Sequence, residues 1–68
     1  MQLDVKQIRL LMAEKRFNVA SLARASSISA ATINLWLNHG RGARLDKVGA
    51  LAAALEVPVS AIIRAEGV

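Results

Sequence analysis

The sequence has no cysteine and only one histidine, and these two absences remove most sites that need reactive side chains. Without thiols the chain can form neither a disulfide framework nor a thiolate metal site, and it suits a reducing compartment. The single histidine (His39) and five scattered acidic residues leave little material for a catalytic or metal-binding cluster. We therefore expect no enzymatic activity, no metal and no cofactor.

Aromatic residues are also scarce, making up 3% of a chain that is 54% hydrophobic. The core must then be built from leucine, isoleucine, valine and alanine, and both alanine and leucine favour helices. No stretch is apolar enough to span a membrane, and the N-terminus does not resemble a signal peptide. At 68 residues the chain allows one domain, 1–68, which we predict to be all-α and soluble.

Acidic residues are absent from one long stretch of the chain. Residues 15–45 contain five basic side chains and no acidic one. The five are Lys15, Arg16, Arg24, Arg41 and Arg44. Such an imbalance is typical of a surface that binds a polyanion, most often nucleic acid. The same charges could form an ordinary solvated surface, and charge alone leaves both interpretations open.

Three helix starts share one pattern, in which an apolar residue, a capping residue and a second apolar residue form a hydrophobic staple. The three sets are Leu3, Asp4 and Ile8, then Phe17, Asn18 and Leu22, then Ile28, Ser29 and Ile33. In each, the Asp, Asn or Ser side chain can accept a hydrogen bond from an unpaired backbone N–H of the first turn. The pattern predicts helices that begin near residues 4, 18 and 29.

The hydrophobic periodicity predicts five helices in all. The first three cover about residues 4–16, 18–26 and 29–38, and the fourth covers about residues 44–55 and buries Leu45. A loop with two glycines separates the third helix from the fourth. Proline is favoured in the first turn of a helix, so Pro58 would open a fifth helix that ends near Glu66.

Residues 19–38 resemble the helix-turn-helix of the lambda-repressor/Cro-like (XRE) family of DNA-binding domains. The residues that carry the resemblance are the apolar or small ones at the helix crossing, namely Leu22, Ala23, Ile28, Ile33 and Trp36. The resemblance extends over nearly the whole chain. It implies a compact five-helix lambda-repressor-like domain with the helix-turn-helix at helices 2 and 3, about residues 18–38.

Three features depart from the family's pattern. Ser27 takes a turn position usually filled by glycine, so a serine would have to adopt left-handed backbone at a cost. Val19 replaces a glutamine that commonly reaches the DNA backbone. Met12 and Leu37 replace an arginine and a glutamate that often pair between the first and third helices. Because both partners have become apolar together, we predict that Met12 and Leu37 touch.

The resemblance implies that the third helix enters the major groove of double-stranded DNA. Its base-reading residues would be Ser29, Ala30, Ala31, Asn34 and Asn38. An amide such as that of Asn34 can bridge N6 and N7 of adenine, and the two alanines could pack on thymine methyl groups. The alanines could equally be plain helix formers on an exposed face.

Contacts with the DNA backbone would come from the start of the second helix, the third helix and the basic residues around them. These candidates are Asn18, Val19, Thr32, Arg41, Arg44, Lys15 and Arg16. The free N–H groups at the start of a helix can hold a phosphate oxygen. Lys15 and Arg16 can also be explained as ordinary basic residues at a helix end.

A lone domain of this size contacts little DNA, so we expect a homodimer that reads half-sites about one helical turn apart, roughly 34 Å. Its interface candidates are Val57, Val59, Ile62 and Ile63, with burial in the monomer core as the alternative. We expect a small Cro-like transcriptional repressor, bacterial or phage, in the cytoplasm at the nucleoid. The alternative is an antitoxin-like or other protein-interaction module with a protein partner and weak or no DNA binding. Neither a membrane nor a small-molecule ligand is expected.

Overall fold

Four α-helices follow one another in the computed structural model, which describes residues 2–40 and 42–64. They are α1 (Val5–Glu14), α2 (Val19–Ser26), α3 (Ala30–His39) and α4 (Leu45–Leu55). These bounds agree with the four predicted ranges to within one or two residues. No helix in the described part of the chain is long and apolar enough to cross a membrane.

The prediction of a fifth helix is wrong for the residues that the structure describes. After Pro58 the chain makes only one turn of 3-10 helix, Val59–Ala61. Shortly after this turn, Ile63 forms an isolated antiparallel bridge with Leu3. The Asp4 N–H donates to the Ile62 carbonyl at 2.8 Å. The Ile62 carbonyl is thus paired with a residue near the N-terminus and not with a residue of a fifth helix. Glu66, the expected end of the fifth helix, lies outside the described residues.

All three predicted N-caps are confirmed. The side chains of Asp4, Asn18 and Ser29 each accept a hydrogen bond from the backbone N–H three residues later, at 3.1, 2.8 and 3.2 Å. At α2 the arrangement is reciprocal, because the Ser21 hydroxyl also accepts from the Asn18 backbone N–H at 2.9 Å. A cap of this kind contributes about 1 kcal/mol, so the three together favour this particular division of the chain into helices.

The core lies where the helices meet, with α2 packed against α3 and α4, and α1 packed against α3. Its largest completely buried side chains are Leu3, Ile8, Leu22, Ile33, Val48, Leu51, Leu55 and Ile62. Trp36 joins them with 5% of its surface exposed. The core therefore draws on every helix and on both ends of the described chain.

The expectation that Leu45 is buried is wrong, since 67% of its surface is exposed. Leu45 is the first residue of α4, and the buried side of that helix begins one turn later at Val48. The helical spacing places Leu45 in line with the core, but the core does not extend as far as this end of the helix.

The turn between α2 and α3 confirms the left-handed backbone that the resemblance implies for Ser27, whose φ is +59° and ψ is +29°. The turn is supported by Ser26, whose hydroxyl donates to the Leu22 carbonyl at 2.7 Å and accepts from the Ile28 N–H at 3.3 Å. Ser26 is buried, and these two bonds satisfy its hydroxyl. The two helices of the motif are therefore joined by a left-handed residue that is not glycine.

Candidate nucleic-acid interface

One side of α3 is exposed along the length of the helix. Its opposite side is buried in the core through Ile33, Trp36 and Leu37. The exposed side carries Ala30, Ala31, Asn34, Leu35 and Asn38. We call these five residues the α3 outer face. Four of the five predicted base-reading residues therefore lie together on one surface.

Leu35 is part of the α3 outer face although it is not among the predicted base-reading residues. It is 53% exposed, so about half of its surface is open to a ligand. The signal was present in the sequence, because Leu35 follows Ala31 by four residues and precedes Asn38 by three. That spacing places all three on one side of a helix.

Ser29, the fifth predicted base-reading residue, is engaged at the start of α3. Its hydroxyl accepts from the Thr32 N–H and donates to Thr32 Oγ1 at 2.8 Å. Because Thr32 Oγ1 accepts that bond, the threonine's own hydrogen remains available for an outside acceptor such as a phosphate oxygen. The Ser29–Thr32 pair thus stabilises the start of α3 and presents one hydroxyl donor.

The start of α2 offers donors as well. Asn18 is exposed, and its Oδ1 is held by the N–H of Ser21, which leaves the amide N–H groups of Asn18 free to donate outward. Val19 is half-buried and packs against the core, so the valine side chain serves packing. Only the backbone N–H of Val19, one of the first in the helix, remains suited to a phosphate.

Three of the predicted backbone-contacting cations are exposed at helix ends. Lys15 and Arg16 follow α1, and Arg44 stands immediately before α4. Within residues 2–40 and 42–64, none of the three forms an ion pair with an acidic side chain. Arg44 occupies the N-cap position of α4 but makes no capping hydrogen bond. Arg41 lies outside the described residues.

Two further cations lie near the end of the α3 outer face. Asn38 lines an open cleft to which Lys6 of α1 and Arg64 also contribute. Neither cation was selected from the sequence, since they are 58 positions apart and only the pairing of the two chain ends brings them together. The positive charge around α3 is thus not confined to residues 15–45, although Asp4 lines the same cleft and offsets one of these two charges.

The four candidate dimer residues differ in how deeply they are buried. Ile62 has no exposed surface and belongs to the monomer core, so the alternative interpretation holds for this residue. Val57, Val59 and Ile63 are half-buried and pack against that core. These three retain exposed apolar surface that a second chain could cover.

Comparisons with known proteins assign the chain to a family. The chain matches the sequence model of the Cro/C1-type HTH DNA-binding domain over residues 7–66. No curated protein and no solved structure gives a significant match. The matched range includes all of α2, α3 and α4, the caps of the motif and most of the core. The chain belongs to the family of Cro/C1-type helix-turn-helix DNA-binding domains.

Proposed function

We propose that this protein is a small transcriptional repressor that binds double-stranded DNA as a homodimer, with α3 in the major groove. The α3 outer face is the observation that carries the proposal. It is exposed along its length, its side chains are short enough for close approach to base edges, and it contains no acidic residue. A major groove about 12 Å wide accepts one helix of this kind.

The composition of the α3 outer face indicates which bases it would read. Asn34 can donate to N7 and accept from N6 of adenine, which is the usual pairing for an amide. The face has no arginine or lysine to grip guanine. We therefore propose a site rich in A·T pairs near its centre and modest discrimination among related sequences.

Contacts with the phosphates would surround this face. The Asn18 amide and the first N–H groups of α2 would bind one phosphate, and Thr32 would donate its hydroxyl to another. Arg41, Arg44, Lys15 and Arg16 would supply charge. Occupation of promoter DNA by such a domain is sufficient for repression, and a dimer formed through Val57, Val59 and Ile63 would double the contacts.

Arg44→Ser provides the sharpest test, because it separates DNA binding from folding. Serine at this N-cap would supply the missing capping bond and raise the free energy of unfolding by about 1 kcal/mol. If Arg44 contacts a phosphate, the same variant binds a labelled duplex more weakly and lowers the log–log salt slope by about 0.9. Fluorescence anisotropy at several salt concentrations measures the slope, and thermal melting measures the stability.

Lys47→Ser is the matched control, because it removes the same charge from the exposed side of α4 without touching the N-cap. Its salt slope is expected to equal that of the unmodified protein. A salt slope for Arg44→Ser equal to that of the unmodified protein would show that Arg44 does not meet a phosphate. Absence of any binding at low salt would contradict the proposed function and favour the protein-partner alternative.

A further inference from the structure

Leu35 is an unusual residue to find on the outer face of a helix that packs a core on its other side. Three large apolar side chains in the described residues are strongly exposed, and Leu35 is the one that belongs to α3. Its neighbours along the exposed stripe, Ala31 one turn before and Asn38 one turn after, are shorter. Leu35 is therefore the largest apolar group that the α3 outer face presents.

The charge around Leu35 indicates which kind of ligand would cover its side chain. Neither α2 nor α3 contains an acidic residue, and exposed cations precede α2 and follow α3. A hydrophobic protein partner does not require this one-sided charge, whereas a nucleic-acid duplex does. The charge complementarity thus favours DNA as the occupant of the face.

Within the major groove the C5-methyl group of thymine is the apolar feature of the base edges. We propose that Leu35 is a specificity-determining residue that packs on the C5-methyl of a thymine. Leu35 adjoins Asn34 in the chain, so this thymine would lie close to the adenine that Asn34 reads. The assignment rests on the proposed function, since it requires α3 to enter the major groove.

The test removes one methyl group from the DNA and leaves its hydrogen bonds intact. A high-affinity duplex is first selected from a random pool with the full chain. Each thymine in it is then replaced singly by deoxyuridine, and binding is measured by anisotropy. At one position per half-site, the unmodified protein should bind about fourfold more weakly to the uracil duplex, which corresponds to about 0.8 kcal/mol for one buried carbon.

Leu35→Ala should bind the selected thymine duplex about fourfold more weakly than the unmodified protein does, and it should lose the sensitivity to uracil at the same position. The matched control is Leu10→Ala, which truncates a leucine of α1 that is also 53% exposed. That variant should keep the fourfold preference for thymine. Melting curves verify that both variants are folded, as expected for substitutions at exposed positions.

The outcomes separate the assignment from the proposed function. If the protein binds a selected duplex but no thymine is sensitive to loss of its methyl, the assignment of Leu35 is overturned and DNA binding stands. The same conclusion follows if Leu35→Ala retains the sensitivity. If no duplex is bound at any salt concentration, the proposed function fails and the assignment fails with it.

Discussion

Gly40, at the end of α3, shows how a single residue can be required for two independent reasons. Its φ is +68°, a conformation that costs other residues about 1–2 kcal/mol. A Cβ at this position would lie 2.8 Å from Val5 Cγ2 and 3.0 Å from the Leu3 carbonyl oxygen. The same Gly40 accepts the Leu3 N–H at 2.8 Å, so the close approach forms part of the fold.

Gly40→Ala is therefore expected to destabilise the protein more than Gly42→Ala. Gly42 also has a positive φ, +78°, but a Cβ there meets nothing within 4 Å. Gly42→Ala should cost about 1 kcal/mol from the backbone alone, and Gly40→Ala should cost a further 1–3 kcal/mol from overpacking. Urea melts measure both values, and equal losses would show that the contact with Val5 and Leu3 is unimportant.

At the scale of the elements, the end of α3 is held by a side chain from another helix. Arg9 of α1 donates from Nη2 to the Leu37 carbonyl at 3.1 Å. Leu37 lies in the last turn of α3, where the carbonyl oxygens have no partner within the helix. A cation at this end also interacts favourably with the helix dipole, so Arg9 stabilises α3 in two ways.

We expect Arg9→Ala to lower the free energy of unfolding by about 1 kcal/mol, the usual contribution of a partly exposed hydrogen bond. In a domain of this size that corresponds to a melting temperature lower by about 4–8 °C. Lys47→Ala is the control, since it removes an exposed cation of α4 for which the structure shows no bond to a helix end. Similar effects of the two substitutions would attribute the loss to net charge instead of to the bond.

At the scale of the whole molecule, the packing of α1 on α3 depends on apolar side chains where the family often has an ion pair. Met12 and Leu37 are 8% and 7% exposed and belong to the same core. Their direct contact remains a prediction. An apolar pair of this kind avoids the cost of burying charge, whereas replacing one partner alone would leave a charge unpaired in the core.

A double-mutant cycle tests this contact. Met12→Arg and Leu37→Glu should each lower the free energy of unfolding by about 3 kcal/mol. The loss in the double variant should be smaller than the sum of these two losses, because the two new charges can pair. The total stability of a domain of this size is roughly 3–10 kcal/mol, so such losses could unfold the protein. The melts are therefore run in sodium sulfate, which raises the stability of all variants. Additive losses would contradict a direct contact.

The helix starts were determined by the sequence itself, because their interactions are local. Each cap joins residues three positions apart, and each staple joins residues five positions apart, so both can be recognised without knowledge of the fold. The left-handed turn at Ser27 was expected from the family resemblance, and the bonds of Ser26 that support the turn are equally local. Most of the α3 outer face was expected from the family resemblance and agrees with helical spacing, and Leu35 was missed because an apolar residue suggests burial.

Only the tertiary structure decided the features that join distant parts of the chain. The segment after Pro58 has a composition compatible with a helix, but only one turn of 3-10 helix forms before Ile63 pairs with Leu3. The extent of the core determines that Leu45 is exposed, and the packing of α1 on α3 brings Arg9 to the Leu37 carbonyl, 28 positions away. Local sequence patterns contain no information on such long-range contacts. The free energy of these contacts depends on which surfaces the completed fold brings together.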